Sequence, residues 1–146
     1  MSYDGLIERK AIMERVENLA GGRVMKGVAD DETHRRFLDG SVKPYICMLF
    51  STPFPVDAGR TMTAGDVDTP HVVTVTAVAY AGDPDTAEIT GAALRRRLVD
   101  FQPTPTSTTL KGEGGYDSNN GDGKRKPTRW DDGSSFSYLI NMGPDA

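Results

Sequence analysis

The sequence predicts an α+β fold, a two-layer sandwich in which a mainly antiparallel sheet of about four to six strands carries two helices on one face. Three observations predict it. Residues His71–Ala81 alternate like a strand. A helical stripe follows immediately, with Ala87, Gly91, Leu94, Leu98 and Phe101 recurring at spacings of 4, 3, 4 and 3. Several shorter strand-like runs surround this pair, and a second long helical pattern lies near the N-terminus.

In chain order, residues Asp4 to Ala20 read as an amphipathic helix. Asp4 can cap it, and Leu6, Met13, Val16 and Ala20 approximate one stripe, with Ile12 and Leu19 beside it. Gly21-Gly22 stops it. Arg23–Val28 is a short strand candidate, and Asp30–Leu38 has the look of one or two helical turns. Tyr45–Phe50, apolar throughout and bounded by Pro44 and Pro53, suits a strand buried on both faces.

Residues 51–70 contain three prolines and two glycines without a clear period, and read as a long loop or arm, with a hidden strand around Arg60–Thr63 as the other option. In His71–Ala81, Val73, Val75, Ala77 and Ala79 share one face, which shrinks toward its end so that a helix can pack close. Asp83 caps that helix and Pro84 opens it. Gly91 costs a helix about 1 kcal/mol relative to alanine, so a close approach to the sheet is its expected reason. Asp85 and Glu88 lie early and Arg95-Arg96-Arg97 late, matching the helix dipole.

Pro103 and Pro105 end the helix, and Thr106–Lys111 reads as a polar strand. Residues 112–126, rich in Gly, Asn and Asp, read as a hairpin tip or loop. Structure resumes at Arg129-Trp130. In Ser134–Met142, Phe136, Tyr138, Ile140 and Met142 face one way. Residues 1–146 therefore form one domain with long loops at 51–70 and 112–126.

Composition narrows the function. Seventeen bases against 21 acids leave a net charge of −4, which disfavours a protein that coats a duplex, since phosphate neutralisation needs a basic face. One cysteine, Cys47, excludes an internal disulfide or a multi-cysteine metal site. The longest apolar run is far shorter than the ~20 residues of a membrane span, and no apolar stretch follows the first residues. A cytoplasm-like compartment, or a particle assembled there, is expected.

Chemistry-bearing patterns are sparse. His34 sits in a charged turn-like segment and His71 opens a strand, neither with a partner at metal-ligand spacing. Cys47, inside an apolar run, reads as a buried thiol. Residues 117–123 miss the calcium-loop pattern: glycine replaces the fifth-position ligand and Asp122 the turn glycine, and Thr128 stands where the closing glutamate belongs. No phosphate-binding glycine motif is present. Lys124-Arg125-Lys126, with Arg129 and Trp130, is the one compact basic patch; Asp117, Asp122, Asp131 and Asp132 surround it and favour a solvated or protein-contacting role over a grip on nucleic acid. With no catalytic residues, metal site or cofactor motif evident, the chain reads as an assembly protein and not an enzyme.

The order of features then becomes informative. An amphipathic helix leads to Pro44-Tyr45-Ile46-Cys47-Met48-Leu49-Phe50 and Pro53. A Gly65-Asp66-Val67-Asp68 segment leads into the long strand. The second helix ends Leu94-Arg95-Arg96-Arg97-Leu98-Val99-Asp100-Phe101-Gln102-Pro103, and Pro127-Thr128-Arg129-Trp130 precedes the closing strand. This succession, from about Leu6 to Met142, resembles the tail terminator proteins of long-tailed, siphovirus-type bacteriophages, particularly those infecting actinobacteria. The resemblance implies a structural virion protein at the tail–neck junction, assembled in the host cytoplasm. It implies a homohexameric ring that caps the tail tube, joins it to the head-side connector and lets DNA pass through its lumen. It carries no catalytic residues and implies no cofactor.

The implied ring is physically reasonable. A domain of this length has a radius of gyration of about 15 Å and a diameter of ~38 Å. Six in a closed ring leave a lumen of about 40 Å, wide enough for a duplex, and an acidic wall would let phosphates slide. Each subunit in such a ring uses two different surfaces. The expected contacts to neighbouring subunits or the tube are Phe54, Met62, Tyr116 and Trp130, large side chains in loops or at strand ends, with Arg96, Arg97 and Arg129 as charged partners. Lys124, Arg125 and Lys126 are the expected lumen- or connector-facing group. The competing reading folds Phe54, Met62, Tyr116 and Trp130 back as local lids. Another neck, head-completion or tail-completion protein is an alternative function, and a small ferredoxin-like enzyme or ligand-binding domain is a second.

Overall fold

The computed structural model describes residues 5–27, 42–55, 69–116 and 129–142. The expected class is found: two helices and a mixed, mostly antiparallel sheet of six strands. Helix α1 spans Leu6–Val16, followed by a 3-10 turn at Leu19–Gly22. The strands are β1 (Val24–Lys26), β2 (Tyr45–Phe50), β3 (Phe54–Pro55), β4 (Thr69–Ala81), β5 (Lys111–Tyr116) and β6 (Trp130–Met142). Helix α2 spans Pro84–Leu98. The sheet runs β1-β2-β4-β6-β5, with β3 also on β4. Only β1 is parallel to its neighbour, β2.

The core fills one sheet face. Ile46 and Met48 of β2, Val73, Val75, Ala77 and Ala79 of β4, and Phe136, Tyr138 and Ile140 of β6 join Ile12 and Val16 of α1, Leu94 and Leu98 of α2, and Leu110 in one buried cluster. Register explains the shared face: Val75 pairs with both Phe50 and Phe136, and Ala77 with both Met48 and Ser134. A smaller cluster of Val42, Tyr45 and Cys47, with Met25 and Tyr80, includes the opposite-parity residues of β2 and β4. Tyr45 and Tyr80 stack there at 4.8 Å.

Helix α2 begins as its sequence dictates. The Asp83 carboxylate accepts from the Thr86 amide at 2.8 Å, and the Thr86 hydroxyl donates to the same carboxylate. Pro84 follows the cap, where its missing N–H costs nothing. Asp83→Ala is expected to lower stability by about 1 kcal/mol. Equilibrium urea unfolding measures it, and a loss confined to the first turn should appear as faster amide exchange at Thr86.

Helix α1 departs from expectation. It stops at Val16, because Ala20 and Gly21 take positive φ of 51° and 63°. Its buried residues are Glu8, Ile12 and Val16, while Leu6 and Ile7 are exposed. Asp4, the expected cap, lies outside the described residues; Gly5 occupies the cap position without a side-chain bond.

Three loop boundaries are also corrected. Residues 51–55 are not a free arm: Ser51 and Thr74 exchange two hydrogen bonds at 2.9 Å, one through the Ser51 hydroxyl, and Phe54–Pro55 pairs with His71–Val72. Thus β2 and β3 run in succession along β4, interrupted near Pro53. Thr69 and Pro70, also assigned to that loop, open β4. The segment Thr106–Lys111 is not a strand up to Leu110. There the Thr108 hydroxyl accepts from the Leu139 amide at 2.8 Å and so occupies the ladder position with a side chain. Pairing starts at Lys111, and the glycine-rich stretch expected to be loop forms β5 through Tyr116. Its glycines are used by the ladder: Gly114 sits beside the bulge at φ +117°, and a β-carbon on Gly115 would overlap the Gly133 carbonyl. The expected elements at Asp30–Leu38 and Arg60–Thr63 lie outside the described residues.

Candidate functional site

The expected contact residues fall at separate places on this framework. Phe54 lies on β3, 59% exposed, opposite Val72. Arg129 and Trp130 lie at the other end of β4, where Trp130 pairs with Ala81 and the Arg129 guanidinium stands 6.0 Å from the Tyr80 ring. Nine residues of extended strand, about 30 Å, separate Val72 from Ala81. Tyr116 joins the Arg129–Trp130 end through backbone pairing with Gly133. Met62, Lys124, Arg125 and Lys126 lie outside the described residues, as does His34.

The two arginines of α2 divide. Arg96 is exposed. Arg97 is engaged within the fold: it donates to the Arg15 carbonyl, and Arg15 donates to the Arg97 carbonyl, both at 3.1 Å. The Arg15 guanidinium also lies 5.1 Å from the Phe101 ring. This reciprocal clasp joins the C-terminal ends of α1 and α2.

Asp131 and Asp132 do not form the solvated rim expected of them. Both lie in β6 and are buried, Asp132 to 1% exposure. Arg95 donates through Nη1 to the Asp132 carboxylate and to the Ser134 hydroxyl. Gly91 makes room for this pair, since a β-carbon at that position would fall on the Asp132 carboxylate. The glycine within the helical stripe was the one sequence signal for this close approach.

A second buried polar group was not legible at all. Glu8 is 1% exposed and accepts from the Thr104 hydroxyl at 3.3 Å. Arg9 donates to the Ser51 carbonyl at 3.3 Å. Next to them Tyr138 is buried, and its hydroxyl has no hydrogen-bond partner among the described residues. Burial, with the Glu8 charge adding to it and Arg9 opposing, pushes the Tyr138 phenol up to about 12.

Among the described residues no group of three or more His, Cys, Asp or Glu side chains could hold a metal ion, and no helix is long and apolar enough to cross a membrane. Cys47 is buried beside Val42 and Tyr45, and His71 is half-buried within β4. Strands β1 and β5 end the sheet, each paired on one side only among the described residues. Beside β1 a hollow of about 370 Å³ opens against α1, lined by Leu6, Met13 and Val24 with Arg9, Lys10 and Lys26 among its charged rim. In comparison with known proteins, no family model matches the chain, and no curated protein matches it significantly.

Proposed function

We propose that this chain is a ring-forming structural protein, a tail terminator that caps a phage tail tube, meets the head-side connector and lets DNA pass. The observation that carries this reading is the pair of dissimilar sheet ends. One end is β1, flanked by the hollow against α1 with exposed Leu6 in its lining; the other is β5, glycine-rich and bulged. Two different edges on opposite sides of one sheet suit head-to-tail contact, which closes into a ring when the rotation per subunit allows. Net charge −4 suits a lumen that repels phosphate, and the order of sequence features resembles that family.

The test is electron microscopy with native mass measurement of the purified protein, alone and mixed with tail tubes. The expected result is a six-fold ring with an open lumen of about 40 Å, seated at the tube end. A small globular oligomer without an axial hole, and no binding to tubes, would overturn the reading. Binding at a portal-side surface in preference to the tube would replace it with a head-completion role.

A further inference from the structure

Helix α2 carries a second stripe. Opposite its buried residues Ala87, Gly91, Leu94 and Leu98 stand Asp85, Ile89, Ala92 and Arg96, at spacings of 4, 3 and 4. Ile89 is 68% exposed, the most exposed large apolar residue among those described. A shallow hollow of about 480 Å³, lined by Asp85, Glu88, Ile89, Ala92 and Arg95, lies alongside it. One exposed isoleucine is ordinary on a protein surface. The register of its neighbours is what gives it meaning.

We propose that this face docks on a second copy of the chain, the two α2 helices lying antiparallel about a two-fold axis. An axis passing between positions 90 and 91 sets Asp85 of each copy against Arg96 of the other. The same register sets Ile89 of each against Ala92 of the other, a large side chain against a small one. The stripe is thus complementary to itself in charge and in size at once. A parallel pairing would oppose Asp85 to Asp85 and Arg96 to Arg96, so the charges also select the direction. The separation of packed helices depends on the side chains at the contact, and Ala92 leaves room for the Ile89 of the other copy.

The helix has 15 residues, about 22 Å of contact length. That buries less than the ~1,000 Å² of a stable interface, so the pair forms reversibly and weakens with salt. The contact is isologous, unlike the head-to-tail contact of a ring, and it does not rest on the ring reading.

Sedimentation velocity of the full chain, across micromolar to millimolar concentration at low and moderate salt, tests the proposal. The wild-type chain should pair; if it forms rings, the rings should pair face to face. Ile89→Asp should weaken pairing about tenfold or more. Arg96→Asp and Asp85→Arg should each do the same, because each sets like charges together at both ends. Mixing these two charge variants should restore pairing as a heterodimer, since the mixed register again opposes unlike charges. Circular dichroism controls for folding of each variant, and loss of doubled rings with single rings intact separates this contact from ring closure. Absence of pairing at every concentration, pairing indifferent to either charge reversal, or no recovery on mixing would overturn the proposal.

Discussion

Gly91→Ala should destabilise the fold by about 2–4 kcal/mol, although the same change in an exposed helix would add about 1 kcal/mol of stability. The reason is the Asp132 carboxylate, which occupies the space a β-carbon would need. Either the carboxylate turns aside and loses Arg95, or α2 lifts from β6. Neither is cheap. Asp132 is 1% exposed and cannot exchange its partner for water, whereas the Arg95 side chain, 40% exposed, can. The cost therefore falls mainly on the acid. Urea unfolding of Gly91→Ala, Asp132→Ala and the double variant measures it. With the carboxylate gone, the Gly91→Ala cost should shrink to under ~1 kcal/mol, a coupling of about 1 kcal/mol or more. Additive losses would mean that the two residues do not share this space.

The second large effect is alkaline. Tyr138 releases its proton at about 12 in the folded chain, against roughly 10 in an unfolded one. The folded state thus holds the proton more tightly. The stabilisation is complete below about pH 10 and is lost as pH rises toward 12. At about 1.4 kcal/mol for each pH unit, the loss reaches about 2.7 kcal/mol. Tyr138→Phe removes the ionising group and should flatten this part of the stability profile. At neutral pH the same variant should be neutral or up to about 1 kcal/mol more stable, because it deletes a buried hydroxyl without a hydrogen-bond partner among the described residues. Urea midpoints of both proteins at pH 8 and pH 11.5 give the comparison. Parallel decline of the two would show that Tyr138 does not carry the alkaline sensitivity.

Both effects arise at positions whose neighbours come from distant parts of the chain, and that marks how far the sequence could be read. The elements with strong local signals were legible. The alternation of β4, the Asp83–Pro84 start of α2, its buried stripe from Ala87 to Leu98 and the inward Phe136, Tyr138 and Ile140 of β6 match the expectation, whereas Phe101 lies beyond the helix end and is only partly buried. In each, a few consecutive side chains decide conformation and face together. The buried face of α1 differs from the expected stripe because Glu8 reads as a surface charge, and it is the fold that brings Thr104, 96 residues away, to donate to it.

Strand β5 departs from the expected loop for a related reason. Glycine-rich sequence has weak strand propensity, yet Gly115 lies so close to the Gly133 carbonyl that the ladder leaves no room for a larger residue. Thr108 has the opposite history. Its β-branched side chain favours a strand, and its hydroxyl instead replaces a backbone group in bonding to Leu139. Of the expected contact residues, Phe54 stands exposed on β3, while Arg97 is drawn into the clasp with Arg15.

The class of fold, the long central strand, the helix that follows it and the face each buries are written locally in the chain, because hydrophobic period and capping act over a few residues. The order of the strands, the parallel placement of β1, the edge at β5 and the burial of Asp132 and Glu8 arise only when distant segments pack. Backbone ladders are largely indifferent to side-chain identity, and whether a charge is buried depends on a partner that the fold must first bring to it.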